Sequence, residues 1–269
     1  MVIHGNIFNS STKLLNTEAG HLNFKPEDFE PGSRGLELDG ARIYRFGETA
    51  IVLDIINIAA THRLATQAKI YALDHALRLA LQNHATTAPA PGVGMDIVPG
   101  DCNLSIFFNP ETLSATRICQ LMMSCWQHAS GAQARDQGTI HNLQVSYGGR
   151  SGPDLEPLAR QLSLQPEALV ERHMQAEYRV AFLGFQPGFA YLHGLHATLQ
   201  APRRQTPRQR IPANSLAIGG PYTAIYPAAT PGGWHIIGSY QPGSLLFDPA
   251  RDTPSLLRAG DRVRFERSC

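Results

Sequence analysis

Residues 201–210 read APRRQTPRQR, four arginines in ten positions with no acid among them. The absence reaches far beyond that decapeptide: from Tyr178 to Phe247 the chain contains no Asp or Glu. A segment without carboxylates cannot supply a paired acid–base machine. It cannot hold Mg²⁺ through carboxylate oxygens either. What it offers is donors. Arg179, Arg203, Arg204, Arg208 and Arg210 present planar forks that match carboxylate or phosphate oxygens. Glycine turns at 219–220 and 231–233 let a ligand approach backbone N–H groups. Tyr191, Tyr222, Tyr226 and Trp234 are suited to wall a pocket, each with a polar tip. The chemistry this points to is recognition of a small anion. Taken singly, each residue has a blander reading. Arginines between prolines are most often solvated, and aromatic residues in strands are most often core. The missing acids and the crowded arginines together favour a site.

His173 is the other candidate. It ends a predicted helix, where the dipole favours its charged form by ~0.3–1 kcal/mol, and Glu177 follows closely enough to pair with it. Such a pair could move protons, and a plain helix-terminal histidine fits equally well. His193 and His196 have no third ligand nearby, so no metal site is expected. The cysteines Cys102, Cys119, Cys125 and Cys269 form no CxxC spacing. They read as thiols of a reducing compartment, with Cys119 and Cys125 as small helix hydrophobes.

Several classes drop out on composition. No lysine follows Lys69, which removes a P-loop or Schiff-base lysine from that part of the chain. No Gly-x-Ser-x-Gly elbow is present, so a serine hydrolase has no support. The formal net charge of +1 gives no field for nucleic acid or an anionic membrane. No apolar run is long enough to span a bilayer, and residues 1–20 lack the apolar stretch of a signal peptide.

The elements that must position these residues fall into two blocks. Residues 1–40 read as a polar leader, disordered or packed on the body. From Ala41, ARIYRFGETAIVLDI reads as a strand pair or one interrupted strand. A helix follows, with Leu73, Leu77, Ala80 and Leu81 on one face. VGMDIVPG and DCNLSIFFN read as short strands. Asn109 and Pro110 are expected to open a second helix with a stripe of Ile118, Leu121, Met122 and Cys125. HNLQVSYGG completes a β-α-β-β-α-β order, the ferredoxin-like sandwich. That first domain is expected over 41–138, with its last strand reaching 148 or instead opening the next domain. The block 139–269 predicts two helices, around Leu155–Leu162 and from Pro166, then many short strands separated by Gly and Pro: EYRVAFLGF, SLAIGG, TAIYPA, GWHIIGSY, SLLFD and DRVRFER. That pattern argues for a closed or nearly closed β-barrel.

The motifs VSYGGRSGPDLEPLA, ERHMQAEYRVAFLGFQPGFAYLHGL, PRRQTPRQRIPANSLAIGG, YTAIYPAATPGGWHIIG and GDRVRF together resemble the family of 5-oxoprolinase B subunits, also called allophanate hydrolase subunit 1 or KipI-like. DIVPGDCNLSIFFNP in the first block resembles it too. The resemblance covers 41–269 and is densest over 140–269. It implies an α+β chain with a ferredoxin-like N-terminal domain and a cyclophilin-like β-barrel. It implies a cytoplasmic hydrolase subunit, inactive or nearly so alone, that opens 5-oxo-L-proline to L-glutamate with subunits C and A. ATP with Mg is the co-substrate of that complex, with no tightly bound cofactor in this chain. His173, Arg203 and Arg208 would then be catalytic, the arginines holding a carboxylate or phosphoryl oxygen and stabilising charge on the lactam oxygen. Arg204, Arg210, Tyr191, Tyr222, Tyr226 and Trp234 would bind substrate. The alternatives within the resemblance are a KipI-type histidine-kinase inhibitor and a subunit of a urea or amide carboxyltransferase. Two positions depart from the family pattern: Asn214 stands where Gly is frequent, and Ser239 where the family often has Arg.

Overall fold

The computed structural model describes residues 34–56, 62–83, 95–130 and 138–268. Most of the predicted leader, residues 1–33, and Cys269 lie outside these. The chain divides into two units between Ala134 and Arg135.

In the first unit, strands β1 (Leu36–Leu38), β2 (Ala41–Phe46) and β3 (Ala50–Ile55) precede helix α1 (Arg63–Asn83). Strands β4 (Met95–Pro99) and β5 (Asn103–Phe108) and helix α2 (Ala115–His128) follow. The end of the predicted leader is therefore ordered. Asp39 and Gly40, at φ 48° and 75°, form the tight Asp-Gly turn of a β1–β2 hairpin. The sheet runs β1-β2-β3-β5-β4, antiparallel throughout. Alternation puts Ile43, Ile51, Leu53, Leu104 and Ile106 on one face, with Ile70, Leu73 and Leu77 of α1 and Ile118, Met122 and Trp126 of α2. The split β3–α1–β4 unit with β5 inserted is ferredoxin-like, but its fourth strand is β2. HNLQVSYGG does not fill that place. Helix α2 also starts later than expected: Asn109 Oδ1 accepts from the Glu111 N–H in a local turn, and Ser114 is the N-cap residue. Leu121 and Cys125 are only partly buried, and Cys119, Met123 and Trp126 complete the stripe.

In the second unit, β6 (Ile140–Tyr147) leads to helices α3 (Leu155–Gln161) and α4 (Pro166–Gln175). Then come β7 (Tyr178–Leu183), β8 (Ala190–His193), β9 (Arg208–Ile211), β10 (Ser215–Gly219), β11 (Tyr222–Ile225), β12 (Thr230–Gly232), β13 (His235–Tyr240) and β14 (Arg262–Arg267). Seven of these close a barrel in the order β10-β11-β8-β7-β14-β6-β13. β6 pairs in parallel with β14 and antiparallel with β13, so it belongs to the barrel. SLLFD forms only a Phe247–Ser255 bridge. β9 and β12 make a separate two-stranded ribbon. The strands are apolar on both sides. Leu216, Ile218, Ile225 and Ile237 enter the main core with Val145, Val180 and Phe265. Ala217, Ala224 and Ile236 join a second cluster with Phe189, Tyr226 and Trp234.

Asn214 enters β10 at φ 65°. Its N–H bonds the Tyr226 carbonyl and its carbonyl accepts from Tyr240 N–H, so the left-handed conformation is fixed by two strands. Asn and Gly tolerate that region, whereas a methyl side chain has no compensating local hydrogen bond. Asn214→Ala is expected to cost about 1 kcal/mol in chemical denaturation, with Asn214→Gly close to the parent.

Candidate functional site

The arginine segment is built into the barrel at several points. Ala201 bridges Gly220, and His235 Nε2 donates to the Pro202 carbonyl at 2.9 Å. Arg204 N–H bonds the Gly233 carbonyl at 2.7 Å, and Arg208–Ile211 pairs with β12. The segment is thus held against the second apolar cluster.

Its four arginines divide into two kinds. Arg204 and Arg208 converge on one carboxylate, Asp154, which lies before α3 in the motif GPDL. Asp154 Oδ1 accepts from Arg204 Nη1 at 2.9 Å and Arg208 Nη2 at 2.7 Å. Oδ2 accepts from Arg208 Nη1 at 2.7 Å and Ile236 N–H at 2.8 Å. The Asp154 N–H in turn bonds the Ile236 carbonyl. The side chain is 4% exposed. Burial alone would raise its pKa. The hydrogen bonds of Arg208 and Ile236 and the charges of both arginines outweigh this, and hold the carboxyl below its ordinary value. With four donors on two oxygens, Asp154 is saturated. The acid that balances these arginines comes from the chain itself, outside the acid-free window.

Arg203 and Arg210 are the other kind. Both are exposed, and neither has an ion-pair partner among the described residues. The charge of Arg203 acts on Tyr191 and Tyr226, opposing the rise that burial causes in each phenol; Tyr226 is still pushed up to about 12. Arg210 lies exposed on β9.

Those aromatic residues form one continuous cluster, with Tyr226 and Trp234 buried and Tyr191 and Tyr222 half-buried against them. Phe189 stands edge-on to Tyr191, Tyr226 and Trp234, with ring centroids 4.9, 5.2 and 5.7 Å away. Tyr191 meets Trp234 at 5.7 Å and Tyr222 at 5.5 Å. Edge-to-face contacts at these separations are the favoured aromatic geometry. Two glycines make room for it. A Cβ on Gly219 would lie 2.4 Å from the Trp234 ring, and one on Gly232 would lie 2.7 Å from the Tyr226 hydroxyl. The structure therefore brings Arg203, Tyr191, Tyr222, Tyr226 and Trp234 together. It diverts Arg204 and Arg208 to Asp154. The half-buried Tyr191 and Tyr222 and the exposed Arg203 guanidinium offer donors suited to a small anionic ligand. Ser239, on β13, is half-buried opposite Ser146 and Ser215.

His173 sits elsewhere. It is fully buried on α4, among the rings of Tyr178 and Phe265 at 5.1 and 4.9 Å. Nδ1 meets the Tyr147 hydroxyl at 2.9 Å, and Nε2 meets Thr223 Oγ1 at 3.0 Å. Thr223 spends its proton on the Ala217 carbonyl, so Nε2 is the protonated ring nitrogen and Nδ1 accepts from Tyr147. Burial lowers the His173 pKa to about 3. The helix-dipole expectation fails because burial is the larger effect: the ring is neutral and enclosed, with no nitrogen open to a substrate. The expected pairing with Glu177 is absent too, since that carboxylate bonds Arg264 at 2.6 Å.

Asp154 and Phe189 are the residues that sequence reasoning missed. Asp154 lies fifty-four positions from Arg208, and Phe189 is hidden in the Gly/Pro-rich turn GFQPGF.

Among known proteins, the family model "Carboxyltransferase domain, subdomain C and D" matches residues 41–257. The 5-oxoprolinase B subunit of Escherichia coli O157:H7 is 43% identical over 226 residues, 84% of this chain and 95% of that protein. The solved structure of TTHA0988 is 32% identical with a TM-score of 0.64, covering 82% of this chain and 40% of that one. Kluyveromyces lactis urea carboxylase shares the fold at 16% identity and a TM-score of 0.60, over 85% of this chain and 22% of that one. The chain thus spans about two-fifths of the TTHA0988 chain and a smaller part of the carboxylase.

Proposed function

This chain belongs to the carboxyltransferase-domain family that includes the B subunits of 5-oxoprolinase, and from that membership we propose that it is the B subunit of a heteromeric, ATP-dependent 5-oxoprolinase. The observation that carries the reading is identity of 43% along nearly the whole length of a relative of that name. The complex opens 5-oxo-L-proline to L-glutamate in the cytoplasm, with subunits C and A as partners and ATP with Mg as co-substrate. This chain alone is inactive or nearly so, and its contribution is to receive the substrate. That role accords with a face that offers a guanidinium and phenols but no free carboxylate among the described residues. Arg203 holds the anionic group of the ligand, beside the half-buried Tyr191 and Tyr222. Arg204 and Arg208 act through Asp154, fixing the segment that carries Arg203, and Arg210 binds at the margin.

The test is reconstitution with candidate C and A subunits, measuring 5-oxoproline-dependent ATP hydrolysis. A well-folded complete complex without turnover would refute the reading. Arg203→Ala removes a charge-assisted hydrogen bond worth about 1.5–3 kcal/mol. It is therefore expected to lower kcat/KM roughly 10–100-fold while the complex still assembles. A value within threefold of the parent would remove Arg203 from the site. The shared fold with urea carboxylase supports one second reading, a subunit of a biotin-dependent amide carboxyltransferase. Carboxylation that requires a biotin-bearing partner would favour it.

A further inference from the structure

The turn after β6 builds a cleft in the second unit. Gly148 and Gly149, at φ 71° and 52°, reverse the chain in a conformation that other residues rarely adopt. Leu155, which opens α3, returns so close that a Cβ on Gly148 would meet its side chain at 3.1 Å. Between the ends of β6 and β14 and the starts of α3 and α4 lies a cleft of about 370 Å³, within the size range of small-molecule sites. Its apolar side is Leu155, Pro166 and Val170, and its polar side is Ser146, Glu167, Arg267 and Ser268. None of these residues belongs to the arginine segment or to the aromatic cluster.

The polar side holds one charge of each sign. Arg267 Nη2 donates to Glu167 Oε1 at 2.7 Å. Both side chains are exposed. Among the described residues, the remaining N–H groups of Arg267 and Oε2 of Glu167 have no partner. The serines add a donor. Ser146 and Ser268 share one hydrogen bond, Oγ to Oγ at 2.6 Å, and Ser146 Oγ also accepts from Gln241 Nε2. Two hydroxyls that share one bond leave one O–H to spend. With Ser146 donating to Ser268, that proton belongs to Ser268, the chain neighbour of Arg267. An anionic group can therefore take Arg267 and Ser268 together, and a cationic group can take Glu167. A ligand with one charge gains one partner and meets the like charge of the other residue, which opposes binding. A ligand with both charges satisfies both. An α-amino acid carries its two charges on one carbon, close enough together for residues that already touch.

We propose that this cleft binds a free α-amino acid with a short apolar side chain, its carboxylate on Arg267 and Ser268, its ammonium on Glu167 and its side chain toward Leu155, Pro166 and Val170. Pro166 is half-buried and Leu155 and Val170 are buried, so the apolar side is small and favours a short side chain over a long or aromatic one. The site is separate from the one that Arg203 marks, and it does not depend on the 5-oxoprolinase reading.

Equilibrium binding to the full chain, followed by calorimetry, tests this with L-valine, which is expected to bind with a Kd of about 1 mM or tighter. 3-Methylbutanoate lacks the ammonium and isobutylamine lacks the carboxylate, and each should bind about tenfold more weakly or worse. L-Glutamate would turn a second carboxylate toward Leu155 and Val170, and should be weaker by a similar factor. Arg267→Ala and Glu167→Gln should each weaken L-valine about tenfold. Their thermal midpoints should stay at the parent's value, because an exposed ion pair contributes little to folding. A parent chain that does not bind L-valine overturns the proposal. So does equal affinity for 3-methylbutanoate or isobutylamine, which would mean that one charge suffices, and so do folded variants that bind as the parent does. L-Glutamate bound as tightly as L-valine overturns the placement of the side chain. These outcomes leave the 5-oxoprolinase reading standing, since turnover is measured separately in the reconstituted complex.

Discussion

Asp154→Asn is expected to destabilise the second unit by about 3 kcal/mol in chemical denaturation, because it breaks a buried ion pair by removing one partner. The amide oxygen can still accept two of the four donors, but its NH₂ group faces a guanidinium or the Ile236 N–H, donor against donor. Arg204 and Arg208 are 33% and 26% exposed, so water relieves part of the loss, which argues for the lower end of the range known for such changes. The same substitution frees the segment that carries Arg203, so turnover of the reconstituted complex should fall with stability. The pH dependence has a definite sign. The folded carboxyl lies below its ordinary value, so its contribution is complete above the unfolded pKa, about 3.9. It is lost as pH falls through the folded pKa. The stability difference between parent and variant should therefore narrow in strong acid. A difference under about 0.5 kcal/mol at pH 7 would make Asp154 an ordinary surface-type residue.

The contrast between Asp154 and Arg203 shows what the sequence could carry. Apolar runs and alternation mark β2, β3, β5, β7, β10, β13 and β14, since each buries one or both faces. Closure of the barrel is not legible at the level of pairing. β6 and β14 run side by side although Leu143 and Phe265 are 122 positions apart, and no local pattern fixes such a register. The fourth strand of the first sheet is undecided in the sequence for a related reason: β2 and HNLQVSYGG carry equally good strand patterns, and only three-dimensional packing chooses between them, giving HNLQVSYGG to the second domain. The arginine cluster is visible, but its partner is not. An acid-free window suggests that carboxylates must come from another chain, whereas Asp154 lies just before α3. A local reading makes that aspartate an N-cap, yet its side chain makes no capping bond and spends every lone pair on distant groups. For His173, the pattern reveals position in the helix but not environment. A dipole of about 0.3–1 kcal/mol cannot offset removal of an imidazolium from water.

That last comparison gives a second large effect. His173 titrates near 6.5 in the unfolded chain and at about 3 in the folded protein, where burial disfavours its charged form. Above pH 6.5 both states hold it neutral, and its contribution to stability is fully present. Below 6.5 the unfolded chain takes up a proton that the folded protein refuses, so stability falls by about 1.4 kcal/mol per pH unit. The loss ends near the folded pKa. Among the described residues, the groups that meet the ring, Tyr147 of β6, Tyr178 of β7, Thr223 of β11 and Phe265 of β14, bring hydroxyls and apolar rings but no carboxylate. His173→Gln does not titrate. It should be less stable than the parent at pH 7.5, having lost ring contacts, but its disadvantage should shrink by about 3 kcal/mol by pH 4.5. A stability difference between the two proteins that stays constant from pH 7.5 to 4.5 would show that the ring is protonated or exposed in the folded state. The same argument bears on function. A histidine whose Nε2–H and Nδ1 are both committed, and whose protonation opposes folding, contributes no ionisation to catalysis near neutrality. In the proposed complex, a pH-dependent step near neutrality then titrates a group other than His173.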